Sequence, residues 1–465
     1  MSAERYPEAR LAELREVAAY TLDKAKALGA DAAEVYLRQG TEASVTVRKG
    51  EIEKLEEGSP RSIGVRVWSG AHVASTYATD LRRATIDGLL ADTLALAPLT
   101  DAMPEQALAD PARLADGAEA LARAKALELF DPEVAAVDPA RKVAIARELE
   151  ASALGADPRV ARSSGASYGD VSMTGVLANS NGFMGGYASS FAHYGVGVVA
   201  DDEESKKRNG SWHTVARHIA DLAPPAEVGR VAAERCVRTI GAGPVDTAVV
   251  PVVFDPRMAA SLIAKLFAVL RGGAIERGAS YLAGQLGETI GSPLLNLVDD
   301  PLRTRGPGSR VYDGEGAEVA ATRFVDAGVL RSYALNSYHA RKLGMAPTGH
   351  ASRPASGAPG SSSSNLYLEP GERTPEEIIR EIDYGFYCES MMGHGFQATT
   401  GDFSQGASGR LIEKGELTRP VSEVTISANF RELFAELDAV ANDLDFERSI
   451  SAPTLRVARM TLAGR

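Results

Sequence analysis

The spacing of apolar residues changes period within the first seventy positions, and this restricts the fold class more than any other feature of the chain. After Pro7, residues Leu11, Leu14, Ala18, Leu22, Ala25 and Leu28 recur at three- and four-residue steps. That spacing predicts an amphipathic helix, closed by Gly29. Val35 and Leu37, then Ala43, Val45 and Val47, then Ile63, Val65 and Val67 instead alternate with polar neighbours, as half-buried strands do. Lys49-Gly50 and Ser69-Gly70 stand where hairpin turns are needed. A second helix is predicted over 80–97, with Ile86, Leu89, Leu90 and Leu94 on one face. Helix, antiparallel strands, helix is an α+β pattern and excludes a regular βαβ alternation.

Residues 100–136 are rich in Ala, Asp and Pro and poorly periodic, which predicts a long surface connection. Asp138-Pro139 then opens a helix whose buried face carries Val143, Ala146, Leu149 and Ala153. Small residues in alternating register from Val160 to His218, with the turn Asn179-Ser180-Asn181-Gly182, predict a β-meander. Pro224-Pro225 begins a helix through Ile240, and Gly241-Ala-Gly-Pro244 breaks it. The break divides the expected domains into 1–240 and 245–465.

Beyond it, Val249–Phe254 reads as a buried strand, with Pro251 favouring an edge or a strand start. Asp255-Pro256 caps a helix to about Leu270. Short strands and turns follow, with helices near 375–384 and 430–442 and a Ser-rich mobile loop at 356–364. The expected fold is α+β: helices on antiparallel strands in the N-terminal domain, and a strand-rich C-terminal domain with a barrel-like antiparallel sheet.

Charge narrows the partners. Lys and Arg number 50 and Asp and Glu 62, so the net charge is 50 − 62 = −12, without a long basic run. No nucleic acid and no membrane is expected as the main partner. Only two cysteines occur, Cys236 and Cys388, and the charged N-terminus has no apolar segment behind it. Both features predict a cytoplasmic protein.

Few motifs carry chemistry unaided. Gly165-Ala-Ser-Tyr-Gly169 matches G-x-S-x-G, but the string lies inside a strand pattern with no helix behind it. No His-Glu-x-x-His or Cys-x-x-Cys pair exists. His213 and His218 would stand about 140° apart on a helix. Cys388 and His394, with Glu389 between them, are the best remaining cluster, read as a buried thiol and a turn histidine. Asp299-Asp300-Pro301 and Asp313-Gly-Glu315 read as turn-forming carboxylates. Arg271–Gly278 lacks phosphate-cradling order.

Several strings taken together resemble the TldD/PmbA family of modulators of DNA gyrase, a family of zinc metallopeptidases. The clearest is Thr400-Gly-Asp-Phe-Ser-Gln-Gly-Ala-Ser-Gly409, followed by Ile412-Glu-Lys-Gly-Glu416 and Pro420-Val-Ser-Glu-Val-Thr-Ile426. Leu335–Gly344, Thr348-Gly-His350, Asn365-Leu-Tyr-Leu-Glu-Pro-Gly371 and Leu297–Pro301 fit as well. In the N-terminal part, Ala33-Glu-Val-Tyr36, Gly50–Lys54 and Ser62–Val67 complete the series in the family's order.

The resemblance implies two kinds of subunit. The TldD kind carries His-Glu-x-x-x-His on the helix after the first C-terminal strand and, with a later cysteine, holds Zn²⁺. Laid over this sequence, the motif positions hold Ala264, Lys265 and Val269, and no cysteine follows Cys388. Ala and Val offer no lone pair, and a lysine is no carboxylate base. The departure is similar to the PmbA (TldE) kind, which implies a non-catalytic subunit with no catalytic residues and no metal of its own. Zinc is expected in a TldD-type partner within a cytoplasmic hetero-oligomer that cleaves unfolded peptides in a chamber.

Extended peptide suits β-augmentation, for which the strand-rich C-terminal domain is the expected source of an edge. The loop 348–364 and the turn 393–402 are the expected chamber-facing surface, with His350, Asn365, His394, Gly401 and Asp402 as candidates. Two other readings stay open. One is a self-sufficient peptidase built on Cys388, His394 and a carboxylate; the other is a homodimer that binds peptide alone.

Overall fold

A computed structural model describes residues 6–354 and 357–464. In chain order, the first half contains α1 (Glu8–Ala27), β1 (Ala32–Arg48), β2 (Glu51–Gly58), β3 (Arg61–Ser69), β4 (His72–Ala78) and α2 (Arg83–Leu96). Then come α3 (Ala120–Ala126), α4 (Pro132–Ala136), α5 (Pro139–Gly155), β5 (Val160–Asn179), β6 (Met184–Asp201), β7 (Lys207–Ala216) and α6 (Pro225–Val237). All seven strands form one antiparallel sheet in the order β4-β3-β1-β5-β6-β7, with β2 also paired to β1. The long β1 makes this arrangement work. Residues 32–39 pair with β3, 42–48 with β2, and 34–47 with β5 on the other side.

The odd-numbered apolar residues of β1 all point to one face, as the period of two requires. Val35 and Leu37 pack beneath α1 and α2, with Leu11, Leu14, Ile86 and Leu90. Val45 and Val47 pack beneath α5 and α6, with Val143, Leu149, Val228 and Ala232. Asp138 caps α5 by accepting the Ala140 N–H at 2.8 Å. At the β1–β2 hairpin, Lys49 and Gly50 both take positive φ (55° and 76°), and the buried Glu150 of α5 accepts both N–H groups at 2.9 and 2.7 Å.

The connection 100–136 departs from expectation. It holds α3, α4 and two short 3-10 turns, and Ala115, Ala120, Ala124 and Leu129 are buried with Leu177, Phe183, Val311 and Tyr312. These elements are too short to show a period, so their burial left no pattern to read.

The second half opens with β8 (Ala248–Phe254), α7 (Pro256–Leu270), α8 (Gly272–Glu276), β9 (Leu297–Asp299), β10 (Thr322–Asp326), β11 (Val329–Leu330) and α9 (Ser337–Leu343). It continues with β12 (Ala351–Ser352), β13 (Gly360–Ser361), β14 (Leu366–Leu368), α10 (Pro375–Arg380), β15 (Tyr384–Met392), β16 (Asp402–Glu413) and β17 (Glu416–Asn429). It ends with α11 (Phe430–Ala435), β18 (Leu437–Val440), β19 (Ile450–Ser451) and β20 (Leu455–Ala463). Strands β17-β16-β15-β8-β20 close into a five-stranded barrel through pairing of β17 with β20, and β18 extends β20 outside the ring. A second sheet, β11-β10-β9-β14-β19, lies across α7 from it. Helix α7 is apolar on most sides because both sheets pack on it: Leu262, Ile263, Leu266, Phe267, Val269 and Leu270 are all buried.

Three expectations are corrected. Pro251 is not on an edge, since β8 lies between β15 and β20. Pairing with β15 starts only at Val252, and the register with β20 shifts between Val457 and Met460, so a missing N–H is tolerated. The helix at 430 ends at Ala435, and β18 follows because Leu437, Ala439 and Val440 are drawn into the barrel side and a second core. In the Ser-rich loop, Ser356 lies outside the described residues, but the rest is tied down. Gly360 and Ser361 pair with Ser352 and Ala351, and Ser364 is buried against Asp299.

Candidate functional site

A cleft of about 790 Å³ lies between the two halves of the chain. One wall is β7 at 207–211 and His213, together with the end of α6. The other is the barrel at 389–392, 406–409 and 422–425, with Arg257 and Met258 of the first turn of α7 and Arg448 at the end. Strand β7 is the outermost strand of its sheet and pairs only with β6. Its other edge is therefore paired to no strand among the described residues. Gly210 lets α6 approach: a Cβ there would stand 2.4 Å from the Cys236 nitrogen and 2.5 Å from the Ala232 oxygen.

Each of the barrel's five strands has a neighbour on both sides, so the ring itself has no free edge; the terminal strands of the C-terminal domain include β18, outside the ring, and β11 and β19 of the second sheet. The strand edge in the cleft belongs to the N-terminal sheet.

Guanidinium groups dominate the electrostatics. Lys207, Arg208, Arg235, Arg238, Arg257 and Arg448 line the cleft against two acids, Glu389 and Glu423. Arg208 meets Asp202 at 2.5 Å, and Arg235 meets Asp255 at 3.2 Å. Glu389 accepts from Arg238 at 2.8 Å and from Arg410 at 3.1 Å. Arg257 stacks on Trp212 with its Cζ 3.2 Å from the ring centroid, and the Cζ of Arg235 lies 5.0 Å from that centroid. Arg257 also donates to the His213 carbonyl at 3.3 Å, and Arg448 donates to His213 Nε2 at 2.9 Å. Burial, aided by Arg257 and Arg448, pushes the His213 pKa down to about 4. Its imidazole is thus neutral at pH 7.

The sequence-predicted residues scatter around this cleft. On α7, Ala264 and Lys265 are half-buried and Val269 is fully buried. The open side of the helix carries Ser261, Ala264, Lys265 and Ala268, and Lys265 Nζ donates to Ser261 Oγ at 2.8 Å. Desolvation lowers the Lys265 pKa. His350 is buried, with Nδ1 2.9 Å from Thr348 Oγ1 and Nε2 3.2 Å from Asp299 Oδ2. Asn365 is buried too, accepting from Gly308 N at 2.8 Å and donating to Asp300 O at 2.6 Å. His394 is exposed. Gly401 is buried with φ +85°, and Asp402 is exposed and bonded to Thr400 and Asn429.

Cys388 is fully buried, and burial pushes its thiol well up, away from the reactive thiolate. A buried thiol and an exposed His394 do not make a nucleophile–base pair. Asp313 accepts the N–H groups of Glu315, Ala317 and Ala351, and Glu315 accepts that of Ser337, so these carboxylates bind backbone. Ser167 of the G-x-S-x-G string sits in mid-strand in β5. The cleft residues Arg257 and Arg448, and the Trp212 ring under Arg257, come from separate segments and left no local signal. His213 was visible as a histidine in the expected β-meander, and it stands on the meander's last strand.

A one-faced helix-covered sheet, joined across a basic cleft to a closed barrel with a helix packed against it, defines the architecture, and it recurs in known proteins. Residues 33–97, 132–240 and 247–464 match, in turn, PmbA/TldA metallopeptidase domain 1, the PmbA/TldA metallopeptidase central domain and the PmbA/TldA metallopeptidase C-terminal domain. The metalloprotease PmbA of Escherichia coli O157:H7 is 30% identical over 435 residues, 94% of this chain and 93% of that protein. A Bacteroides thetaiotaomicron crystal structure named for modulation of DNA gyrase superposes with a TM-score of 0.90 at 28% identity, covering 97% of this chain and 99% of that one. TldE from Thermococcus kodakarensis shares the fold, with a TM-score of 0.83 at 19% identity over 96% and 100% of the two chains. The chain belongs to the PmbA/TldD metallopeptidase family.

The family name implies a metal centre, and the residues of α7 do not fit one. Its open side presents a hydroxyl, two methyl groups and an ammonium, and an ammonium has no lone pair to donate. Among the described residues, no three His, Cys, Asp or Glu side chains converge as metal ligands. No helix is long and apolar enough to cross a membrane.

Proposed function

We propose that this chain is the PmbA/TldE-type, non-catalytic subunit of a cytoplasmic TldD/TldE zinc metallopeptidase assembly that cleaves unfolded peptides. Zinc and the general base reside in a TldD-type partner, and this chain shapes the chamber and holds substrate. The observation that supports the reading is the open side of α7, where Ser261, Ala264, Lys265 and Ala268 stand in the family's architecture without a ligand set. The free edge of β7 suits an extended peptide, because main-chain hydrogen bonds bind it with little regard to sequence. His394 and Asp402, exposed on the 393–402 turn, are the candidates for contact with the chamber.

The test combines metal analysis with reconstitution. The chain purified alone should carry far less than one zinc per chain and cleave no peptide. Mixed with a TldD-type subunit from the same cell, it should form a stable complex that cleaves an unfolded peptide faster than that subunit does alone. Stoichiometric zinc with peptidase activity in the isolated chain would overturn the reading.

A further inference from the structure

Arg257 and Arg448 converge on one residue of the cleft, and neither has a carboxylate within good hydrogen-bond distance among the described residues. Arg257 has Glu447 at 3.8 Å, too far for a good hydrogen bond, and feels Asp255 only from farther off. Arg448 makes no close ion pair with a carboxylate among the described residues, although it acts on Glu447 through space; its side chain donates instead to the neutral ring of His213. The neighbouring cations are already engaged: Arg208 with Asp202, Arg235 with Asp255, Lys207 with Asp201 and Arg238 with Glu389. The Arg257 pKa is itself held down to about 10, by burial first and then by Arg448 and Arg235. Like charges crowded into a partly dehydrated wall repel one another, and an incoming anion relieves that repulsion.

The position of the pair specifies the anion. Both groups meet His213, a residue of the edge strand β7, beside the backbone groups that an added strand would use. Resting on the reading of the cleft as a peptide channel, we propose that Arg257 and Arg448 form a carboxylate subsite, so that the cleft selects extended peptides bearing an acidic group opposite His213. A guanidinium suits this task because its planar fork can take both oxygens of a carboxylate, which an ammonium cannot. The stacking of Arg257 on Trp212 fixes one fork in advance.

The carboxylate has two sources, an acidic side chain or the peptide's own C-terminus. Titration calorimetry of the full chain with synthetic peptides of the length of β7 separates them. The probes are a Ser/Thr/Val peptide amidated at its C-terminus, the same peptide with one central Glu, and the amidated parent's free-acid form. The Glu peptide, the free acid or both should bind at least about tenfold tighter than the neutral amide, a factor equal to about 1.4 kcal/mol. Arg448→Gln should abolish that preference, so that the Glu and free-acid peptides bind no tighter than the neutral amide. Arg448→Glu should reverse it in favour of a central Lys, a gain that a misfolded variant would not show. Equal affinity for all three peptides, or a preference that survives Arg448→Gln, would overturn the subsite but leave the channel standing. Failure of every peptide to bind would overturn both.

Discussion

At the scale of single residues, His213 shows how the cleft charges its surroundings. The ring sits between two guanidinium groups and is partly buried, and both facts favour the neutral form. Its pKa in the folded chain, about 4, lies below the 6.5 of an ordinary histidine. The unfolded chain therefore takes up this proton first as pH falls, and the stability present above 6.5 is lost between about 6.5 and 4. The ring is only part-buried, so solvent screening reduces the effect to about 1–2 kcal/mol. His213→Gln keeps an acceptor for Arg448 and cannot titrate. Urea midpoints of the two proteins should diverge as pH rises from 4 to 7, with the wild type showing the steeper gain. Parallel pH profiles would show that the ring does not titrate in this way. None of this was legible from the sequence, where His213 is one of seven scattered histidines and its two arginine neighbours lie at positions 257 and 448. The site is assembled by topology, and short-range spacing carries no trace of it.

At the scale of elements, what could be read locally was read well. Asp138-Pro139 and Asp255-Pro256 each combine a side-chain acceptor with a fixed φ, and both helices start there. Lys49-Gly50 makes its hairpin for the same local reason. Pro251, the helix that stops at Ala435 and the packed 100–136 segment were misread because distant partners decide them: β15 and β20, the barrel wall, and Tyr312. Asp255 links the two kinds of information. Its carboxylate caps α7 through the Met258 N–H at 2.8 Å and also meets Arg235 from α6, while its own N–H bonds Cys388 O at 3.1 Å in β15. Asp255→Ala removes a cap worth about 1 kcal/mol and strands a largely buried guanidinium, for a total loss of about 2–3 kcal/mol. Asp255→Asn keeps the cap acceptor and should lose about half as much. Equal losses in the two variants, measured by urea denaturation, would show that the ion pair alone matters.

At the scale of the whole molecule, the question is what makes two sheets with separate cores behave as one body. The barrel's closing pair, β17 with β20, joins positions 425–427 to 461–463, and no local pattern announces it. The union of the halves is similarly non-local. Phe183 and Leu177 of the first half pack with Val311 and Tyr312 of the second, and Arg353 reaches across to Glu34, which also holds Arg66 at 3.2 Å. Arg217 is the most exacting of these links. It is 4% exposed, lies over the Phe191 ring and pairs with no carboxylate among the described residues. Its guanidinium instead donates to Leu129 O at 3.3 Å in its own half and to Gly306, Pro307 and Ser309 carbonyls at 2.8, 3.0 and 3.1 Å in the other. Burial lowers its pKa to about 10, so it keeps its charge at neutral pH and the carbonyl dipoles answer it. Arg217→Met should leave those buried carbonyls unpaired at a cost of about 3–5 kcal/mol. That cost falls on the junction and not on either core. Calorimetry should therefore show one unfolding transition for the wild type and two for Arg217→Met, the second close to the wild-type temperature. Two transitions already in the wild type, or one uniformly lowered transition in the variant, would show that Arg217 does not couple the halves.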